Sequence, residues 1–244
     1  MKPDIQIIPK LWATIPEAIR NRVGREAGTQ RAIFEEGHLL IILHQLPSPH
    51  DVERRPALFW RQPDGTWKSN PENGGSQALQ NHLAAYAARL EELDKEEHGA
   101  QTAAEYHRVL EAIAPVLRSS RSMHRAMQQA REFVKLDRDV INLRDQAASV
   151  ERTAELLLQD AQFGLNFTVA KQAEAQAKSA QIMASTSHRL NVMAALFLPL
   201  TALTGLFSMY VRADVADTPT NFWLIAGAGV LIGLVMSSFV VARR

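Results

Sequence analysis

Residues 190–211 read LNVMAALFLPLTALTGLFSMYV, a run with no charged side chain. A second such run, FWLIAGAGVLIGLVMSSFVVA, fills residues 222–242. A bilayer's hydrocarbon core is about 30 Å thick, so a spanning helix needs roughly 20 consecutive apolar residues. Both runs reach that length. Two uncharged helices of this size would leave a soluble fold no polar face for water. The pair is therefore expected to form a transmembrane hairpin: a first span at 190–211, an outside loop at 212–221, and a second span with a basic tail at 222–244.

Flanking charges orient the hairpin. Lys171, Lys178 and Arg189 precede the first run, and Arg243 and Arg244 follow the second. The loop RADVADTPTN offers only Arg212 against Asp214 and Asp217. The positive-inside bias then places both termini in the cytoplasm, in a multi-pass protein of the cell (inner) membrane. The opening residues MKPDIQIIPKLW lack the continuous apolar stretch of a cleavable signal. With no cysteine, neither disulfides nor thiolate metal sites are expected. A formal net charge of +1 gives no support to a nucleic-acid partner.

Residues 1–74 read as a small cytoplasmic α/β unit. IPEAIRNRVGREA has helical spacing with proline near its start. RAIFEEGHLLIILHQLP reads as two strands folded about Glu36-Gly37. ALFWRQPDGTWKS reads as a hairpin turning at Asp64-Gly65. These would make a four-stranded antiparallel sheet with one covering helix. SNPENGG then breaks the chain. Residues 75–134 are expected to form a helical hairpin. Ser76 is its N-cap, Leu79, Leu83, Tyr86, Leu90 and Leu93 its first seam, and Pro115 a kink or restart in its second arm.

Residues 135–189 form the expected stalk. Residues 116–198 contain no proline. From Leu136 through Val140, Leu143, Ala147, Val150, Ala154, Leu157 and Ala161, apolar residues keep a four-three spacing, as in coiled coils. Beyond Gly164 the sequence AKQAEAQAKSAQIMASTSH has little to bury, yet no stop signal precedes the first span. Unbroken to Val211, such a helix would be about 110 Å long. A helix with that polar lower half needs neighbours, so self-association is expected.

This layout, and the words LFLPLTALTGLFSM in particular, resemble the CorA-type divalent-cation transporters of magnesium and zinc. In that family a Pro-Leu-Thr segment precedes a glycine and then a Gly-Met-Asn signature at the outer mouth. Pro199, Leu200, Thr201 and Gly205 match, and Met209 stands in the signature's centre. The resemblance covers the last 55 or so residues well, the stalk only in style, and the N-terminal unit hardly at all. It implies an α-helical membrane protein with two spans per subunit and a long stalk helix entering the first. Five copies would form a funnel whose first spans surround a pore, with no resident cofactor and a divalent cation as cargo.

The spacing agrees independently. Leu190, Ala194, Leu198, Thr201, Gly205 and Ser208 fall on one face, and Asn191 borders it. Leucines can gate by dewetting, while the hydroxyls and close backbone above them suit an ion path. An asparagine facing lipid would be costly. Asp214 and Asp217 are weak metal candidates that would concentrate cations at the mouth, beside Ser208, Met209 and Tyr210. There the chain departs from its family: Ser-Met-Tyr replaces Gly-Met-Asn. Serine bends less freely than glycine, and tyrosine cannot present the amide oxygen suited to a magnesium ion that keeps its water shell.

Plainer readings compete at several positions. Tyr210, Phe222 and Trp223 suit an interfacial aromatic belt. Gly229-x-x-x-Gly233 suits close helix packing. Residues 91–97, EELDKEE, suit a solvated helix face better than a regulatory ion site. The eight histidines are scattered, with only His107 and Glu111 at a helical pair spacing. No glycine-rich phosphate loop, nucleophile elbow or His-Glu-x-x-His motif is present, so an enzyme is not expected. Two functions follow: passive divalent-cation conduction through a homo-oligomeric pore, or a non-conducting scaffold or sensor on the same fold with its altered mouth closed.

Overall fold

A computed structural model describes residues 7–9, 11–24, 26–48, 54–210, 223, 227–235 and 238. The side chains at 196, 200, 203, 204 and 206–210 fall outside that description. The chain forms two units, Met1–Val169 and Ala170–Arg244.

The first unit is built on four antiparallel strands in the order β1-β2-β3-β4: Arg31–Glu35, His38–His44, Pro56–Arg61 and Trp67–Asn70. Glu36 and Gly37 both take positive φ, 51° and 78°, as a two-residue hairpin turn requires. At the other hairpin Gly65 adopts φ 88°. Asp64 fixes this turn by accepting from the Thr66 amide at 2.9 Å and hydroxyl at 2.7 Å. The sheet is covered on both faces, which is why β2 reads as a continuous apolar run instead of an alternating one. Ala32, Leu39, Ile41, Leu43, Ala57 and Phe59 face the helical core. Ile33, Leu40, Ile42, Leu58 and Trp60 face Ile7, Ile8, Trp12, Ile15 and Ile19.

That second cover is mostly irregular chain. The helix expected from IPEAIRNRVGREA is reduced to α1, Glu17–Asn21. Gly24 follows closely, and glycine weakens any extension of the helix. Packing of Trp12 against Trp60, with ring centroids 5.5 Å apart, does the work expected of a longer helix.

α2 spans Ser76–Gly99 and buries the expected seam of Leu79, Leu83, Tyr86, Leu90 and Leu93. Its cap differs from expectation. Gly75, at φ 61°, is the N-cap, and Ser76 is already helical. A Cβ on Gly75 would stand 3.1 Å from the Trp67 carbonyl oxygen, so the close approach of strand β4 selects glycine there. α3, Ala103–Phe133, opens with a reciprocal capping box between Thr102 and Glu105. It runs through Pro115 without a restart. The carbonyl deprived of its donor by this proline belongs to Glu111, which is exposed and can turn to water.

α4 covers Arg138–Tyr210 without interruption. Asp137 caps it: one carboxylate oxygen accepts from the amides of Asp139 and Val140 at 3.0 and 3.2 Å. The other oxygen lies 2.8 Å from Arg61 Nε of β3, a close ion pair without directed hydrogen-bond geometry. The apolar seam starts at Val140, not Leu136, which sits in the preceding turn 94% exposed. From Val140 to Ala161 every seam residue is buried against the core that includes α3. Arg121–Glu155 at 2.8 Å and His124–Glu151 at 2.6 Å tie the two helices in antiparallel order.

Candidate functional site on the long helix

Seven residues were singled out as an ion path, and the structure places all of them on α4. Leu190, Asn191, Ala194, Leu198, Thr201 and Gly205 are exposed, Leu190 at 61% and Leu198 at 67%. Ser208, Met209 and Tyr210 are helical in backbone, with side chains outside the description, and Asp214 and Asp217 lie outside the described residues. On a helix, residues spaced four and three apart share one face, so Leu190, Ala194, Leu198, Thr201 and Gly205 form a single stripe bordered by Asn191.

Exposure continues round the helix, with Met193 at 58% and Phe197 at 59%. The stripe is therefore distinguished by its chemistry rather than by burial. Thr201 Oγ1 donates to the carbonyl oxygens of Phe197 at 2.6 Å and Leu198 at 3.2 Å. The hydroxyl proton is thus held by the backbone next to Pro199. Gly205 has open space where a Cβ would stand. Among the described residues nothing requires a glycine there, although glycine inside a helix is unfavourable by about 1 kcal/mol relative to alanine.

Among the described residues no helix is long and apolar enough to cross a membrane, and no group of three or more potential metal ligands converges. The acidic run on α2 is a solvated face. Glu91 pairs with Lys95 at 2.8 Å, and Arg89 with Glu92 at 2.8 Å and Glu96 at 3.4 Å. The hydrogen bond from Lys95 holds the Glu91 carboxyl below its ordinary range. His107 and Glu111 approach to 3.3 Å as an exposed pair one helical turn apart.

Sequence reasoning missed a contact that fixes the helix above the stripe. Tyr106, near the start of α3, lies directly over Gly164 of α4. A Cβ on Gly164 would stand 2.3 Å from the tyrosine Cε1 and 2.5 Å from Cζ. The glycine was visible in the sequence as the point where the apolar seam ends, but its partner, 58 positions away, was not.

The family model of the CorA-like Mg2+ transporter protein matches residues 12–244, and the chain belongs to that family. It is accordingly a transporter-family protein and not an enzyme. Its fold is similar to that of the full-length CmaX protein, with a TM-score of 0.54 at 15% identity over 94% of this chain and 81% of that one. It is also similar to the ZntB cytoplasmic domain from Vibrio parahaemolyticus RIMD 2210633, with a TM-score of 0.50 at 12% identity over 66% and 80% of the two chains. The complete CorA magnesium transporter from Methanocaldococcus jannaschii aligns over 93% of this chain and 83% of its own, at 13% identity and a TM-score of 0.34. No curated protein matches the sequence.

Proposed function

We propose that the chain conducts divalent metal cations passively, down the membrane potential, through a pore made by several copies, five in the family-like arrangement. In this reading residues 1–74 and 75–134 form the cytoplasmic body and 135–189 the stalk. Residues 190–211 line the pore, 212–221 form the outer mouth, and 222–244 face lipid and return to the cytoplasm. The observation that carries the reading is the stripe on α4. Its described side chains are uncharged and exposed, Thr201 brings a hydroxyl to it, and among the described residues nothing stands where a Cβ on its glycine would be. Such a surface on a single chain calls for other copies and lipid around it, because exposed leucines in water are unfavourable. Asp214 and Asp217 would draw cations to the mouth. Leu190 and Leu198 would form constrictions, with Asn191, Ala194, Thr201, Gly205 and Ser208 as the polar or narrow parts of the wall.

Flux into sealed liposomes carrying the purified protein tests this directly. Magnesium, cobalt, nickel or zinc should enter with an inside-negative potential, and tight vesicles with no flux of any of them would overturn the proposal. Tyr210→Asn restores an amide oxygen at the mouth and should shift selectivity toward magnesium, while Leu198→Asp should change conduction or gating. Identical flux in both variants would move the pore to another helix.

A further inference from the structure

The interior of the first unit contains a polar knot that no transport step uses. Tyr86 of α2 is fully buried. Its hydroxyl lies 2.7 Å from Ser119 Oγ of α3, 3.0 Å from the His44 carbonyl oxygen and 3.3 Å from that of Gln45. Gln30 reaches the same serine, donating to its carbonyl at 2.8 Å and its hydroxyl at 3.1 Å. The end of β2 and the two helices α2 and α3 therefore meet at one small group of hydrogen bonds. Two imidazoles flank it.

His44 is 6% exposed, and its Nε2 lies 2.9 Å from the Gly28 carbonyl oxygen. Facing a carbonyl, that nitrogen must carry the ring proton. His82 sits one turn before Tyr86 on α2. Its ring centroid is 5.5 Å from those of both Phe59 and Tyr86. Its Nε2 is sealed from water without a partner. A bare lone pair in that position is tolerable. A positively charged N–H with no acceptor is far less so.

We propose that His44 and His82 form an acid-sensitive latch, which ties the first half of α2 to the end of β2 and opens when the imidazoles take up protons. The groups acting on the pair explain the direction. On His82 they are His44 of β2, by its charge and by its backbone carbonyl. On His44 they are the Gly28 carbonyl and the Arg54 charge, from the chain ahead of β3. Tyr86 of α2 is a neutral neighbour, pushed up to about 12 by burial. Among these groups none is a carboxylate, so nothing anionic compensates an added proton.

Burial lowers His82 to about 4, the His44 charge adds to the effect, and the His44 carbonyl opposes it. His44 is lowered as well, first by burial, then by Arg54 against the Gly28 hydrogen bond. Once α2 lifts from the sheet, His82 regains its ordinary value of 6.5. The open form then binds the proton more tightly, so the latch is at full strength above pH 6.5 and weakens as pH falls toward 4. From His82 alone the opening equilibrium rises roughly thirty-fold between about pH 7.5 and 5. The same apolar core joins α2 to α3 and to the upper part of α4, so opening would loosen the support of the long helix.

Hydrogen exchange on the full-length protein in a membrane mimetic tests the latch independently of transport. Protection factors for amides 80–90 should fall roughly thirty-fold between about pH 7.5 and 5 in the native sequence, the ratio expected from His82 linkage. The fall should be largely abolished in His82→Phe, which keeps an aromatic ring but cannot titrate. An equal fall in both proteins, or none in the native one, would overturn the proposal. If His82→Phe does not fold, imidazole nitrogen resonances of the native protein decide. His82 remaining neutral until near pH 4 supports the latch, and protonation at its ordinary 6.5 excludes it.

Discussion

The two halves of α4 carry the same rhythm and meet different fates. From Val140 to Ala161, residues at alternating steps of four and three are buried by the chain's own helices. From Leu190 to Gly205 the same spacing recurs, and those described side chains are exposed. Between them, from Gln172 to Ser187, every residue is exposed, and alanine and short polar side chains predominate. A helix period therefore reports only that one face is to be covered. What covers it must be read from composition. Large and medium apolar residues on an otherwise charged helix mark a face filled within the subunit, and an uncharged helix all round marks one suited, in the proposed reading, to lipid and other copies.

The largest expected contrast comes from truncating one leucine in each half. Leu143 is 1% exposed within the core, so Leu143→Ala should destabilise the first unit by about 2–5 kcal/mol. Leu190→Ala removes a side chain that touches little in its own chain, and should change the stability of that unit by less than about 0.5 kcal/mol. Chemical unfolding followed by Trp12 and Trp60 fluorescence would measure both. Equal losses would break the distinction between the halves. A loss of flux in Leu190→Ala with unaltered unfolding would sharpen it.

The elements most legible in the sequence are those whose signals are local. Glu36-Gly37 and Asp64-Gly65 announced two hairpins because the backbone angles of such turns restrict which residues can occupy them. The seam on α2 and the seam from Val140 announced their burial by periodicity. The Pro-Leu-Thr and glycine pattern announced the family. What stayed hidden joins positions far apart in the chain. Tyr106 over Gly164, Arg61 beside Asp137, and the polar knot around Tyr86 leave no periodic trace. Where expectation erred, tertiary contact overrode a local rule: β4 takes the space a side chain would need at Gly75, and the five-residue α1 suffices because irregular chain already covers the sheet. The stripe at 190–205 was legible as chemistry, since a hydroxyl, a glycine and leucines on one face can be counted directly. What covers it is not encoded by spacing within one chain.

The two glycines of α4 offer a finer test. Gly164→Ala would force a methyl into the Tyr106 ring, which lies 2.3 Å from where that carbon must be. The tyrosine or the helix must shift, and the overpacking should cost about 1–3 kcal/mol in the unfolding of the first unit. Tyr106→Ala combined with Gly164→Ala should recover part of that loss, because the double variant removes the clash and keeps alanine's helix preference. Gly205→Ala meets open space among the described residues, so the helix should tolerate it or gain up to about 1 kcal/mol of stability. A deficit in assembly or flux would show that this glycine serves the pore. A Gly205→Ala protein that assembles and conducts normally would remove the argument that this glycine serves the pore.

The smallest expected effect lies at the top of the helix, where the sheet and α4 meet. Asp137 both caps α4 and faces Arg61, with side-chain exposures of 15% and 20%. Asp137→Ala removes two hydrogen bonds to helix amides, a loss of about 1 kcal/mol for a typical cap and somewhat more with the arginine left unpaired. Asp137→Asn keeps the capping oxygen and deletes the charge, so its loss relative to the native protein isolates the ion pair, at about 0.5–1 kcal/mol for a partly exposed site, and the difference between the two variants isolates the cap. Denaturant unfolding of both, with and without added salt, separates the contributions. The capping loss should be insensitive to salt and the ion-pair loss should shrink with it. Equal destabilisation by alanine and asparagine would mean that Arg61, and not the cap, fixes where α4 begins.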